Sequence, residues 1–301
     1  MRDQITPTLS DLFAADERLA LVLADISRSQ LDPIFQRYPL RAVNVGIMEQ
    51  TMIGVAAGLA LEGFIPVAHS IAAFLVERPF EQLKIDFCYQ QLGGNFIGVG
   101  GSHDYSMSGM THHTPGDILA LRSLPGMQIV VPGTAAEFDL LFRAAYANNS
   151  PTYYRLSVRT NQASRPVRFG ELIQVRAGKE ATIVAVGPML DQVLAATADL
   201  DVAILYCTTV APFDRAGLRA LMSGDTLITV EPGYAGALLH DVMETFPDRS
   251  LRVRALGLEQ RILHQYGTVE QLDAALGLSE TTIRQAVESQ HLAAASTAER
   301  L

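Results

Sequence analysis

What the chain has little of narrows its function first. Basic residues are outnumbered: 23 Lys and Arg stand against 32 Asp and Glu, a formal net charge of −9. Nucleic acids and anionic membranes are bound through clustered Lys and Arg, so neither is an expected partner. Cysteine is nearly absent. Cys88 and Cys207 lie far apart in apolar surroundings, without CxxC or paired histidine spacing. They read as reduced core thiols of a cytosolic protein. The opening MRDQITPTLSDLF lacks the long apolar stretch of a signal peptide, so a cytoplasmic protein is expected. The most apolar segment, residues 51–76, is interrupted by Glu62, Gly63, Pro66 and His69. It reads as a buried helix, a turn and a strand in place of a membrane span. No GxGxxG follows a strand and no GxxxxGK[ST] occurs; the GVGGS at 98–102 matches neither phosphate loop. Metal-ligand spacing and internal repeats are also missing.

What is there is an α/β pattern. The 301 residues, 49% hydrophobic and 18% charged, suffice for two domains with substantial cores. LALVLADI, RAVNVGI, FIPVAHS, GNFIGVG, MQIVVPG and PTYYRLS read as strands in the first half, and ATIVAVG, DVAILYC and DTLITVE in the second. Helical stretches such as PFEQLKIDFCYQQLG, AAEFDLLFRAAYAN, MLDQVLAATADL and FDRAGLRALMS alternate with them. The expectation is two domains, each a largely parallel sheet covered by helices. Residues 1–162 form the first, 163–178 a polar linker, 179–288 the second, and 289–301 a flexible tail.

Polar residues gather at the ends of the first-half strands: Asp25, Ser27 and Ser29, then Glu49, then His103, His112 and His113, then Arg155 and Arg159. In a parallel sheet these ends share one edge, where α/β folds bind ligands. Glu49 poses the sharpest question, since it sits where the apolar run VNVGI hands over to an apolar helix. A carboxylate there either complements the helix N-terminus or is a catalytic acid. The gathering of polar groups on one rim favours an active site.

Three stretches, RAVNVGIMEQTMIGVAAGLALEGFIPVAHSIAAFLVERPFEQ, GMTHHTPGDILALRSLPGMQIVVPG and PTYYRLSVRTN, resemble the thiamine-diphosphate-dependent transketolase family. The likeness is to the C-terminal half of a full-length transketolase, its pyrimidine-binding domain plus C-terminal domain, as in the second subunit of split transketolases. It implies a transferase of carbohydrate metabolism that moves a two-carbon ketol unit, or a related acyl unit. The donor would be a ketose phosphate or 2-oxo compound and the acceptor an aldehyde. By that resemblance Glu49 hydrogen-bonds N1′ of the cofactor's aminopyrimidine, favouring the imino tautomer whose 4′ nitrogen takes the thiazolium C2 proton. Desolvation in an apolar pocket suits such a proton-sharing carboxyl. Phe74 would stack on the aminopyrimidine, with Ile71 standing where the family usually has a second aromatic. Asp25 and Ile26 would approach the cofactor from the strand end. His112 would contact the donor's hydroxyl and carbonyl region; Ser29, His103, Arg159 and, less directly, Arg2 would bind the sugar phosphate, for which arginine is well shaped.

Two features depart from the family pattern. The Asp-Gly before the TH pair is replaced by Ser108-Gly109, and the loop from His103 to His112 is a few residues short. Both changes fall where substrate is read, so a specialised donor is expected. The GDG…N motif that holds Mg²⁺ and the diphosphate has no counterpart here. The resemblance therefore implies a partner, the N-terminal-half subunit, that supplies the Mg²⁺ ligands in an α2β2 heterotetramer with the cofactor at the subunit interface. Deoxyxylulose-phosphate synthase and the beta subunits of 2-oxoacid dehydrogenases share the architecture and are the alternative. A non-catalytic assembly subunit is disfavoured by the presence of Glu49 and Phe74.

Overall fold

A computed structural model describes residues 1–298. In the first half, six strands run parallel: β1 (Leu19–Leu23), β2 (Ala42–Asn44), β3 (Ile65–Ile71), β4 (Gly94–Val99), β5 (Gln128–Val130) and β6 (Pro151–Leu156). The second half adds β7 (Leu172–Arg176), β8 (Ala181–Val186), β9 (Val202–Cys207), β10 (Thr209–Ala211), β11 (Thr226–Tyr234) and β12 (Arg252–Leu258). The first sheet has the order β10-β5-β6-β4-β3-β1-β2 and the second β12-β11-β8-β9-β7. β1, β4, β6, β8 and β9 are buried along their whole length. Helices cover both faces of each sheet, so these strands need no polar side and read as unbroken apolar runs.

Register fixes where the site lies. Leu23 pairs with His69, Ile71 with Val99 and Val99 with Leu156. The C-terminal ends of β1, β3, β4 and β6 are thus brought level, side by side. The segments that follow them, Asp25–Ser29, Phe74–Arg78, Gly100–His103 and Ser157–Arg159, leave from one edge. The apolar helix Glu49–Leu61 buries Met52, Ile53, Ala56 and Ala57, while Thr51, Gly54, Gly58 and Leu61 face outward.

The halves are joined more closely than a linker implies. β10 belongs to the second half but pairs antiparallel with β5 of the first sheet. The wholly buried Glu137 accepts hydrogen bonds from the Gly133 and Arg165 amides, both at 2.8 Å, and from the Tyr206 hydroxyl at 2.6 Å. Three donors match its two oxygens, which makes a buried carboxylate tolerable.

The expected linker 163–178 contains β7, which pairs antiparallel with β9 at the edge of the second sheet. Its sequence LIQVR escapes detection because an edge strand, half open to water, carries polar residues. β12, at the opposite edge with Arg252 and Arg254, was missed for the same reason. The expected tail at 289–301 is also corrected: a helix runs Glu280–Ala298, through the alanine-rich HLAAASTA, whose helix propensity needs no tertiary partner to be favourable. Residues 299–301 lie outside the described residues. Among the described residues, no helix is long and apolar enough to cross a membrane.

Candidate active site

Glu49 opens its helix, yet it is not a cap. Gly46, at φ 76°, turns the chain out of β2, and Met48 is the N-cap residue without a side-chain bond. The buried Glu49 carboxylate accepts instead from Nη1 of Arg78, at 2.9 Å. The Arg78 guanidinium lies flat over the Phe74 ring, 3.8 Å from its centroid. Phe74 in turn meets His112 edge-on at 5.1 Å, and His112 meets Tyr105 at 6.0 Å. Contacts through Arg78 thus link Glu49, Phe74 and His112 in one row.

Arg78 was missed by sequence reasoning. The available signal was its position four residues after Phe74 on a helical turn, where side chains three or four apart meet. Its arrangement tests whether the site suits the pyrimidine of thiamine diphosphate. That ring needs an aromatic face to stack on and a carboxylate to receive a ring N–H. A guanidinium is likewise flat, delocalised and donor-bearing, and here it satisfies both demands at once. The residues fit the group. Ile71, by contrast, is buried as the cap of the helix Ala72–Val76 and contributes an aliphatic surface.

The β1 end is strained. Asp25 and Ser27 have φ of 67° and 61°, a conformation that non-glycine residues hold only when their surroundings enforce it. Asn44 Oδ1 does so at Asp25, accepting from its amide at 3.0 Å and from the Gly46 amide at 3.1 Å. Ser27 is held by Arg2, whose Nε and Nη2 donate to its hydroxyl at 3.0 and 2.9 Å. That hydroxyl donates to Nε2 of His69 at 2.7 Å, and His69 Nδ1 donates to the Ile97 carbonyl at 2.8 Å. His69 lies wholly buried, and desolvation holds its pKa down to about 4. Unfolded, it would titrate near 6.5. Because the unfolded chain takes up this proton first, the neutral ring stabilises the fold fully above pH 6.5 and progressively less below it. Between pH 7 and pH 4.5 the stability of wild type should fall roughly 2–3 kcal/mol more than that of His69→Asn, as urea unfolding at both pH values would show.

Arg2, Asp25, Ile26, Ser27 and Ser29 line one open depression. His103 and Arg159 line a separate small cavity. The expected phosphate-binding set is therefore not gathered in one pocket of this chain. β3 stands between β4 and β1 in the sheet, and β6 lies beyond β4, which sets the end of β1 about 10 Å, two strand spacings, from that of β4 and about 14 Å, three spacings, from that of β6. Ser108 is exposed, its amide donating to the Tyr105 carbonyl at 2.8 Å.

Two other residues singled out from sequence are structural. His113 is buried with Nε2 against the Tyr105 carbonyl at 3.1 Å. Arg155 is fully buried; its Nε donates to Asp117 at 2.7 Å and its Nη2 to the Ser102 hydroxyl at 2.7 Å. The Tyr153 hydroxyl completes the set, donating to Asp117 at 2.9 Å. This explains the GVGGS stretch. A Cβ on Gly101 would stand 2.5 Å from the Arg155 guanidinium carbon, and Gly100, at φ 76°, is overlaid by Tyr105. The glycines make room for side chains, and no phosphate loop is present.

Comparison with known proteins agrees with this geometry. Residues 1–162 match the transketolase pyrimidine-binding domain and residues 170–283 the transketolase C-terminal domain. A 33.6 kDa protein of the fasciation locus of Rhodococcoides fascians is 37% identical over 286 residues, covering 94% of this chain and 92% of that one. The 6-deoxy-6-sulfo-D-fructose transketolase subunit SqwH of Clostridium sp. (strain MSTE9) is 32% identical over 242 residues, 77% of this chain and 75% of its own. Among solved structures, a split-gene transketolase captured as an inactive β4 tetramer superposes with a TM-score of 0.84 at 26% identity, covering 96% of both chains. With the buried carboxylate, the aromatic wall and both domains in place, this chain belongs to the transketolase family.

Proposed function

We propose that this chain is the pyrimidine-side subunit of a two-component, thiamine-diphosphate-dependent transketolase, moving a two-carbon ketol unit from a ketose or 2-oxo donor to an aldehyde acceptor. The observation that carries the reading is the buried Glu49 carboxylate, linked through Arg78 to the Phe74 ring at the C-terminal edge of the first sheet. When bound, the cofactor supplies the thiazolium carbon on which the two-carbon fragment is carried. Glu49 holds a proton at the pyrimidine N1′. Phe74 would offer the face on which the ring stacks, and Arg78, whose side chain is 42% exposed, would have to leave that face for it. His112, edge-on to Phe74, donates to the donor's oxygen next to the reacting carbon.

The partner half follows from two features. First, the GDG…N sequence that would hold Mg²⁺ and the diphosphate does not occur in this chain, so those ligands are assigned to an N-terminal-half subunit. Second, large apolar side chains that flank Glu49 and His112 in the chain stand in the open: Ile47 is 69% exposed, Met48 51% and Met107 73%. The outward face of the helix Glu49–Leu61 offers nothing within 4 Å of Gly54 or Gly58. Exposed apolar surface of this kind marks an interaction face, and an apolar helix is normally covered on all sides. An α2β2 heterotetramer in the cytoplasm fits. The inactive β4 form of the structural neighbour supports the view that this half alone does no chemistry.

Calorimetry provides the test. The purified chain with Mg²⁺ should show no stoichiometric binding of thiamine diphosphate, and the reconstituted complex should bind it tightly. Tight binding by the chain alone would sink the half-site reading.

A further inference from the structure

His103 and Arg159 do not face an open anion site, because a carboxylate of this chain already lies between them. Asp273 belongs to the helix Val269–Ala275 of the second half, 5% exposed. His103 Nε2 donates to its Oδ1 at 2.7 Å, and Arg159 Nη2 donates to its Oδ2. The helix is firmly set: Thr268 and Gln271 form a reciprocal capping box at its start, which satisfies two otherwise unpaired amides. On the side of Ser102, His103, Asp104 and Ser157 the space left beside the carboxylate is about 20 Å³, room for about one water; on the other side Arg159 and Asp273 line an open depression of about 570 Å³ together with Asp191, Glu270 and Glu280.

Charge is already balanced at this site. Of the guanidiniums on the cavity, Arg155 is matched by Asp117 and Arg159 by Asp273, while Asp104 adds a further carboxylate. A phosphate dianion entering would meet an acidic surround. One polar atom nonetheless lacks a partner: His103 Nδ1 is buried without a hydrogen bond. The bond to Asp273 commits His103 Nε2, so that nitrogen is not free to receive an incoming anion.

We propose that Asp273 is a specificity-determining residue that takes the place of a phosphate between His103 and Arg159, so that the donor carries no phosphate at the end remote from its ketone. The inference rests on the transketolase reading for the word donor, but its physical core is that Asp273 occupies a latent anion site.

Two experiments separate the parts. In the first, the full chain alone is titrated with inorganic phosphate by calorimetry at low ionic strength. Wild type should show no binding to about 10 mM, Asp273→Ala should bind, and Asp273→Ala/Arg159→Ala should lose that binding, since the arginine supplies the counter-charge. Asp273→Asn keeps the volume of the side chain and guards against a folding defect; it should bind phosphate more weakly than Asp273→Ala but above wild type. In the second, the reconstituted complex is given matched unphosphorylated and phosphorylated ketoses. Wild type should favour the unphosphorylated donor in kcat/KM, and Asp273→Asn should shift the ratio toward the phosphorylated one by at least ~10-fold. Phosphate binding by wild type equal to that of Asp273→Ala would overturn the proposal. So would the absence of any gain in both variants, or an unchanged donor ratio. Failure of every donor to react would count against the transketolase reading instead, with the phosphate titration still deciding the role of Asp273.

Discussion

Glu49→Gln in the reconstituted complex should lower turnover by roughly 10²–10⁴-fold, the range that a positioned proton-transfer group contributes, while leaving the chain folded. Gln fills the same space and still hydrogen-bonds, but it cannot carry a proton to and from a ring nitrogen. The structure separates this effect from a stability effect. The ion pair that the change removes has one half-exposed member, Arg78, and pairs of that kind are worth about 1 kcal/mol or less. The urea midpoint should therefore barely move while kcat collapses. Hydrogen–deuterium exchange at the thiazolium C2, followed by NMR in the complex, gives a readout closer to the chemistry than product formation. Exchange at the wild-type rate would return Glu49 to the status of a helix-end carboxylate.

The opposite pattern is expected at Arg155. Arg155→Ala should destabilise the chain by about 3–5 kcal/mol, the cost of leaving a buried charge without its partner, a large share of a typical domain's 5–15 kcal/mol. Asp117 would be the orphan, since among the described residues only the Tyr153 hydroxyl and the Ile118 amide would still bond to it. Arg155 also positions the Ser102 hydroxyl, which donates to the Pro232 carbonyl of β11 in the second half. The loss should thus loosen the contact between the halves as well as the first core. Lysine should not rescue, because one ammonium on a flexible stem does not reproduce the forked contacts to Asp117 and Ser102. Arg155→Met combined with Asp117→Asn should recover stability relative to Arg155→Ala, since no buried charge remains. Urea unfolding of the single and double variants measures the coupling, and additive losses would show that the pair is not a unit.

The two residues look alike in the sequence, each a charged side chain near an apolar strand run, and the sequence does not separate them. It does mark both as positions at or near strand ends. The same local reading placed His112 on the rim, because parallel strands deliver their following loops to one edge, whereas Phe74 was singled out by the family resemblance. What separates them is what each meets. Glu49 meets a half-exposed arginine; Arg155 meets a buried aspartate and a serine.

The alternation of apolar runs with helical stretches determined the fold by itself, since a strand covered on both faces must be apolar throughout and such runs are visible locally. The edge strands β7 and β12 were not visible, because water on one side permits polar residues. Nor was β10, three residues long, whose place in the first sheet is set by pairing with β5. The pairing of Arg78 with Glu49, 29 residues apart, and the place of Asp273 were decided by tertiary structure alone. Asp273 reaches His103 across 170 residues and Arg159 across 114, and no local periodicity encodes a contact of that separation. The sequence could therefore place His103 and Arg159 on the rim, but only the packing of the second half against the first shows that the counter-charge of Arg159 is already present.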